Sequence, residues 1–312
     1  MNAMAVSRRA LLAGGAALGG CGPANAVPTS LRGARAGFTT HLLRNESSRL
    51  PVDQPPSGVF SLITYAAPMG RLTAYVTPRP TAGGRKPAII WITGGDCNSI
   101  GDVWSPAPPE NDQTARAFRE SGMVMMFPTL RGGNMSKGPK EGFFGELDDL
   151  VAAANHLGAL DYVDPTRIYL GGHSTGGTMA LLAAEYSGQF RATFSFGPVA
   201  FASQYGAAPY APPIDPTNRA EVDLRSPVLW LSSVTRPVFI FEGDGQGNAR
   251  SLLGLRAANT NPLVETFLVA GASHFSVLAP VTTHIAQKIR LDTGAKTNLS
   301  FNEAELAGLM RR

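Results

Sequence analysis

The chain alternates short apolar runs with longer amphipathic segments from about residue 59 onward. Runs 59–66 and 72–77 are separated by the turn Pro68-Met69-Gly70, which predicts an antiparallel hairpin. Further apolar runs of strand length predict buried strands at 88–92, 124–127, 167–170, 192–196, 238–241 and 264–269. The pattern therefore predicts a sheet of about eight strands.

Helical periods fill the intervals between most of these strands. In the segment 146–160, apolar residues at positions 147, 150, 151, 154 and 157 follow the spacing of one helix face. Other segments with a helical pattern are 113–120, 175–186 and 281–289. Alternation of strands and helices is typical of a mostly parallel sheet with helices on both faces. We predict an α/β fold in a single domain over residues 58–312.

Two stretches do not fit this alternation. Residues 27–57 are polar and show no clear period, so we interpret them as a linker. Residues 198–235 are rich in proline, alanine and tyrosine, with a short helix predicted near 223–232. Because long connections within compact folds are usually functional, we predict that this second stretch is a small cap beside the site.

The first 26 residues have the pattern of an export signal. Arg8 and Arg9 precede a short, weakly apolar run of glycine and alanine, which favours a twin-arginine signal. Leu18-Gly19-Gly20-Cys21 resembles a lipobox, which would attach a lipid to Cys21, whereas cleavage after Ala26 would release the protein. The protein is thus expected to be exported to the bacterial envelope, either lipid-anchored through Cys21 or periplasmic or secreted.

Composition narrows the possible partners. The net charge of +4 includes two arginines of the signal, and no cluster of Lys and Arg is interleaved with aromatics, so no nucleic-acid partner is expected. The two cysteines, Cys21 and Cys97, leave no internal disulfide after either route of processing. The five histidines lack the spacing of metal ligands on any helix face, so no metal site is predicted.

The motif Gly172-His173-Ser174-Thr175-Gly176 matches the pattern G-x-S-x-G. In a chain with 35 glycines this pattern alone is weak, but here it lies between a predicted strand and a predicted helix. That setting is the one a nucleophile elbow requires, so Ser174 is the predicted nucleophile. The alternative is a glycine-rich turn in which the serine caps the helix.

A serine hydroxyl needs an adjacent base to act as a nucleophile near neutral pH. His274 follows the last predicted strand, in the chain order Ser, acid, His that α/β-hydrolases use, and is the predicted base. His173 occupies the variable position of the motif, for which a packing role beside the site is expected. The other histidines, at positions 41, 156 and 284, are interpreted as surface or core residues.

The orienting acid is expected just after the strand 238–241, where two carboxylates are available. Asp244 is preferred because it lies in the loop beyond the strand end, while Glu242 is the alternative because it can still belong to the strand. A missing or displaced acid is also left open. The distinction matters because orientation of the histidine can change a rate by orders of magnitude.

The oxyanion of an acyl-transfer intermediate needs two preorganised N–H donors. One is expected from Thr175, the residue after the nucleophile, and the other from Gly95 or Asp96 in the loop after the third strand. That loop can also be an ordinary tight turn. Aromatic residues of the cap at positions 205, 210 and 230 can line an apolar acyl pocket or serve only as cap core.

Several spaced elements together resemble the catalytic domain of the prolyl oligopeptidase-like serine hydrolases. They are the run from Pro128 to Asn134, the segments 143–157 and 163–168, and the elbow itself. The resemblance covers roughly residues 58–292. It implies an α/β-hydrolase fold, hydrolysis through an acyl-enzyme, no cofactor, and Ser174 and His274 as nucleophile and base.

The sequence departs from this family at two positions. Gln246 stands where the family commonly has its acid, and Thr93 stands where relatives often have a histidine. In addition, the short interval between the signal and the first strand leaves no room for the large propeller of the peptidases. The leading hypothesis is an esterase for small esters, the second a peptidase, and the third a degenerate hydrolase fold that only binds its ligand.

Overall fold

The computed structural model describes residues 29–81, 83–207 and 209–311. The predicted signal, with Arg8, Arg9 and Cys21, lies outside these residues, so export and lipidation stay predictions. Within the described ranges, no helix has both the length and the apolar character needed to cross a membrane.

The described residues form one eight-stranded sheet with the spatial order β1-β2-β4-β3-β5-β6-β7-β8. The outer strands β1 and β2 are antiparallel to each other, and β2 is antiparallel to β4, while β3 to β8 are mutually parallel. This is the predicted α/β-hydrolase architecture. The strands are β1 (Ser61–Ala67), β2 (Gly70–Val76), β3 (Lys86–Ile92), β4 (Val124–Pro128), β5 (Val163–His173), β6 (Thr193–Phe196), β7 (Val238–Gly243) and β8 (Val264–Val269).

Helices cover both faces of this sheet. The helices α3 and α4 lie close to the predicted segments 146–160 and 175–186. The sequence pattern did not predict α1, α6 or α8, and α2 is shorter than the predicted segment 113–120. The helices are α1 (Leu31–Arg35), α2 (Ala117–Glu120), α3 (Glu146–Ala159), α4 (Thr175–Tyr186), α5 (Arg219–Asp223), α6 (Ala249–Ala258), α7 (Leu278–Leu291) and α8 (Glu303–Leu309).

The strand period of two divides the core into two layers. On β3, Ile89 and Trp91 pack into the apolar cluster that contains the buried face of α7. Their neighbour Ile90 points to the opposite side, into the cluster that contains the buried faces of α3 and α4. Because every central strand is covered on both faces, its side chains are buried at consecutive positions, which is the continuous apolar pattern of a parallel sheet.

Residues 29–57 are not a free linker, contrary to the interpretation of the sequence. They form an N-terminal strap that begins with α1 and packs on the domain. Arg35 is buried, donates a hydrogen bond to the carbonyl of Phe144 at 3.0 Å, and lies over the rings of Phe144 and Tyr186 at 4.4 and 4.2 Å. The cation–π contacts and the buried Leu31 hold the strap in place.

The insertion between β6 and β7 lies where the cap was predicted, and it contains α5 and short 3-10 turns. Its anchor is Arg225, which is fully buried and pairs with Glu221 at 2.6 Å. The same guanidinium donates to the hydroxyl of Thr40 in the strap at 2.6 Å and to the carbonyl of Glu141 at 2.9 Å. These bonds compensate the burial of the charge and tie the cap to the strap and to the loop before α3.

Candidate active site

Ser174 lies on the sharp turn from β5 into α4. Its φ of 56° and ψ of −116° are strained for a residue with a side chain, and its N–H donates to the carbonyl of Phe196 at 2.7 Å. A Cβ on Gly172 would lie 2.3 Å from the carbonyl oxygen of Gly176, and one on Gly176 would lie 2.2 Å from that of Ile92. Only glycines fit these two positions. The Ser174 side chain makes no helix-capping bond, so the alternative of a capping serine is wrong.

His274 follows β8 and is held by a carboxylate. Its Nδ1 lies 2.8 Å from Oε2 of Glu242, which is fully buried near the end of β7. The other oxygen of Glu242 accepts a hydrogen bond from the N–H of Gly243 at 2.9 Å. Because a carboxylate only accepts hydrogen bonds, the proton of the neutral imidazole is on Nδ1, and Nε2 has a free lone pair.

The preference for Asp244 as the group that holds His274 is wrong. Strand β7 continues to Gly243, which pairs with Val269 of β8, so Glu242 still belongs to the strand. Its side chain points toward the histidine loop, whereas Asp244 is exposed and its carboxylate accepts from the N–H of Gly271 at 3.0 Å. Gln246 stands at the position of the family's usual acid, and its backbone carbonyl accepts a hydrogen bond from the His274 N–H at 3.1 Å.

Ser174 and His274 line the same cavity, with a volume of about 550 Å³. Among the described residues, no direct hydrogen bond joins the Ser174 hydroxyl to His274, whose Nδ1 bonds to Glu242. The cavity is more polar than the sequence suggested, since four side-chain amides line it. Its other lining residues include Val199, Phe275 and two cap tyrosines. The amides are Asn111, Gln113, Gln204 and Asn248, and the tyrosines are Tyr205 and Tyr210.

Trp230, the third aromatic residue considered for the pocket, does not line this cavity. Its indole N–H donates to the carbonyl of Asp223 at 2.7 Å, and its ring packs against the core. The tryptophan is therefore part of the cap interior. The expectation of an apolar acyl pocket lined by three cap aromatics is only partly met.

Thr175 and Gly95 lie side by side at the edge of the cavity. Thr175 is the first residue of α4, so its N–H has no partner within the helix. Its hydroxyl donates to the carbonyl of Gly95 at 2.9 Å, which fixes the loop after β3 against the helix. Gly95 has a φ of 79° and open space where a Cβ would be. Asp96 follows Gly95, and its backbone N–H is the alternative donor for the oxyanion. Its carboxylate is exposed and pairs with Lys140 at 2.6 Å.

A second cavity of about 400 Å³ adjoins the first, since both are lined by Gly95, Thr175 and Tyr210. Cys97 lies in its wall. Burial raises the pKa of this thiol to about 12, so the sulfur is a neutral thiol at ordinary pH. Cys97 is consequently not an activated nucleophile.

Gly197, just after β6, gives the histidine and its acid the room they need. A Cβ at this position would lie 2.4 Å from Cε1 of His274 and 2.6 Å from Oε2 of Glu242. Its φ of 57° also favours glycine. The backbone of β6 therefore packs directly against the pair, which neither the motif nor the strand pattern had indicated.

The arrangement has counterparts among known proteins. Residues 109–245 match the model of the prolyl oligopeptidase family, just under half of the chain, and include Ser174 and Glu242 but not His274. A comparison with curated proteins gave no match.

Solved structures share the fold at low sequence identity. An esterase from Pyrococcus furiosus is 16% identical, with 80% of this chain and 98% of the esterase covered and a TM-score of 0.60. A Pyrobaculum calidifontis esterase is 19% identical, with 76% and 86% covered and a TM-score of 0.56. An acylaminoacyl peptidase from Pyrococcus horikoshii is 14% identical, with 79% of this chain covered and a TM-score of 0.56. This chain spans only 43% of that peptidase. Residues 109–245 are therefore similar to the prolyl oligopeptidase family, and the chain as a whole has an α/β-hydrolase fold.

Proposed function

We propose that the protein is a serine hydrolase that cleaves esters of small, uncharged substrates through an acyl-enzyme. The observation that carries this proposal is the contact of 2.8 Å between the buried carboxylate of Glu242 and Nδ1 of His274. His274 lines the same cavity as Ser174, whose backbone is strained. A nucleophile, a base and an orienting acid in this arrangement are the components of acyl transfer.

In the first half of the proposed reaction, Oγ of Ser174 attacks the carbonyl carbon while its proton passes to Nε2 of His274. The carbonyl oxygen becomes an oxyanion, which the N–H groups of Thr175 and Gly95 stabilise at the N-terminus of α4. His274 then gives the proton to the leaving alcohol as the carbon–oxygen bond breaks. Glu242 stabilises the imidazolium throughout and keeps the proton of Nδ1 in place.

In the second half, water attacks the acyl-enzyme and His274 again takes the proton. Collapse of the second tetrahedral intermediate breaks the bond to Ser174, returns the proton to its oxygen and releases the carboxylic acid. The products are therefore an alcohol and an acid, and the enzyme is regenerated. The chemistry uses groups of this chain and one water molecule.

The cavity supports an uncharged substrate. Its lining includes four side-chain amides and two tyrosines, which are neutral, and no Asp, Glu, Lys or Arg is among the described residues that line it. An ester is proposed first because two similar solved structures are esterases, of which 86% and 98% are covered by the alignment. The match to the prolyl oligopeptidase family makes peptide hydrolysis the alternative for the test.

Labelling with a fluorophosphonate probe tests the proposal. We expect the protein to form one covalent adduct, which peptide mass spectrometry assigns to Ser174, and to hydrolyse p-nitrophenyl acetate or butyrate faster than proline-containing peptide anilides. Faster cleavage of the peptides would make the enzyme a peptidase. A protein that neither reacts with the probe nor hydrolyses any of these substrates would refute the hydrolase proposal and favour a binding role.

Substitution of Gly197 by alanine is expected to lower kcat/KM at least about 100-fold, although Gly197 has no reactive group. The new Cβ would clash with His274 and Glu242 and displace the imidazole from Ser174. Ester hydrolysis and thermal unfolding measure the two effects separately. The matched control is Gly122→Ala, because Gly122 also has a positive φ, 85°, but has open space at the Cβ position. Equal activity of the two variants would contradict the proposed packing.

A further inference from the structure

His173, the residue before the nucleophile, makes two directed hydrogen bonds. It is fully buried, and its Nε2 lies 2.9 Å from the backbone carbonyl of His274. Because a carbonyl can only accept, Nε2 carries the proton. The other nitrogen, Nδ1, lies 2.7 Å from Nε2 of Gln113 and is then the acceptor of that bond. The neighbours of His173 thus select a single neutral tautomer.

Gln113 is oriented just as strictly. Its amide nitrogen also donates to the side-chain oxygen of Asn111 at 2.8 Å, and its amide oxygen accepts from the N–H of Gly94 at 3.1 Å. A flipped amide would place a donor against the Gly94 N–H and an acceptor against the lone pair of His173. The side chain therefore has one hydrogen-bonded orientation.

These bonds join the two loops that the proposed chemistry needs. At one end, the carbonyl of His274 is held by His173. At the other end, the N–H of Gly94 is held by Gln113, while the carbonyl of Gly95 is held by the Thr175 hydroxyl at 2.9 Å. The Gly94–Gly95 segment is thus fixed on both sides of the N–H that we assign to the oxyanion site.

We propose that His173 and Gln113 are a positioning pair. They align the loop that carries His274 with the Gly94–Gly95 segment, on either side of Ser174. Neither residue is assigned a proton-transfer step, and their effect on rate rests on the proposed function. Burial and the neighbouring His274 lower the pKa of His173 to about 3, so the ring stays neutral over the ordinary pH range.

A double-mutant cycle tests the pair in the enzyme. We expect His173→Leu and Gln113→Leu each to lower kcat about 10- to 100-fold while KM changes less than about threefold, because the cavity loses alignment rather than volume. The double variant should be about as slow as the slower single variant, since either change breaks the same connection. His284→Gln and Gln189→Leu, outside the cavity, are the controls for loss of a histidine or an amide.

If the losses of kcat in the two single variants multiplied in the double variant, the two residues would act independently and the proposal would be wrong. An unchanged kcat in either single variant would also contradict it. Thermal midpoints are recorded for every variant. A fall of kcat that is matched by loss of folded protein, and that disappears when rates are corrected for it, would also count against a positioning role.

Nitrogen NMR of protein labelled with ¹⁵N-histidine provides a readout that does not need activity. We expect one histidine, assigned through its loss in His173→Leu, to remain the neutral Nε2–H tautomer between about pH 5 and pH 8. In Gln113→Leu its Nδ1 resonance should move, because that nitrogen loses its donor. A titrating or Nδ1-protonated His173 would refute the pair. The expected tautomer in a protein inert to fluorophosphonate would instead refute the hydrolase proposal alone.

Discussion

Ser174→Ala is expected to lower kcat/KM for a p-nitrophenyl ester by about 10⁴- to 10⁶-fold, since no acyl-enzyme can form without the hydroxyl. The residual rate should still exceed that of the uncatalysed reaction, because the N–H groups of Thr175 and Gly95 and the binding cavity remain. Initial rates at several enzyme concentrations measure the loss. Reaction with fluorophosphonate should disappear as well.

The same position also tests the strain of the elbow. Alanine keeps the Cβ that makes a φ of 56° unfavourable, whereas glycine removes it. We therefore expect the free energy of unfolding in urea to be about 1 kcal/mol higher for Ser174→Gly than for Ser174→Ala, although neither variant can form an acyl-enzyme. The comparison separates the chemical role of the hydroxyl from the conformational cost of presenting it.

Two results would contradict this account. If Ser174→Ala kept more than about a hundredth of the activity, another residue would be the nucleophile and the cavity would need a new assignment. If the glycine variant were less stable than the alanine variant, the turn would not be strained. The first result bears on function alone, and the second on the elbow alone.

The fold could be predicted from the sequence because burial on both faces leaves a strong signal. Central strands of a parallel sheet are continuous apolar runs, as in β4, where all five residues are buried, and each strand was found near its observed position. Elements outside the sheet were harder. α8 is short, and α6 exposes much of its surface, so neither has a long apolar period.

The docked strap shows a second limit of sequence patterns. Its polar composition suggested a linker, because few of its residues, such as Leu31, pack into the core, and much of it is fixed by polar groups with partners in distant parts of the chain. Arg35 pairs with Asp148, and Thr40 bonds to Glu221 and Arg225. No local pattern reveals that a polar residue will find a partner more than a hundred positions away.

The site was predictable as far as it depends on local geometry. The position of Ser174 on the turn from β5 into α4 was predicted from the strand and helix around it, and that of His274 from its place after the last strand. Glu242 was not chosen because all six residues of β7 are buried, so the pattern does not show where the strand ends or which face each side chain occupies. Pairing with β8 decides both, and pairing is not visible in one sequence.

Glu242→Gln is expected to lower kcat about 10³- to 10⁴-fold with little change of KM, because Glu242 is buried behind His274 and does not line the cavity. The two oxygens accept hydrogen bonds from His274 and from the Gly243 N–H. A carboxamide can accept only one of these. Its NH₂ group must then face either the N–H of Gly243 or Nδ1 of His274. The second choice selects the tautomer in which Nε2 carries the proton and cannot act as a base.

Asp244→Asn is the matched control, since it also replaces a carboxylate by an amide two positions along the chain. Its side-chain oxygen can still accept from the Gly271 N–H, so kcat should stay within about twofold of the parent enzyme. The ratio of the two losses of kcat shows directly which carboxylate orients His274. A large loss in Asp244→Asn with near-normal activity in Glu242→Gln would restore Asp244 to the site. Equal, small losses would mean that His274 needs no carboxylate. The hydrogen bonds that its backbone makes to the Gln246 carbonyl and to the His173 side chain would then suffice to orient it.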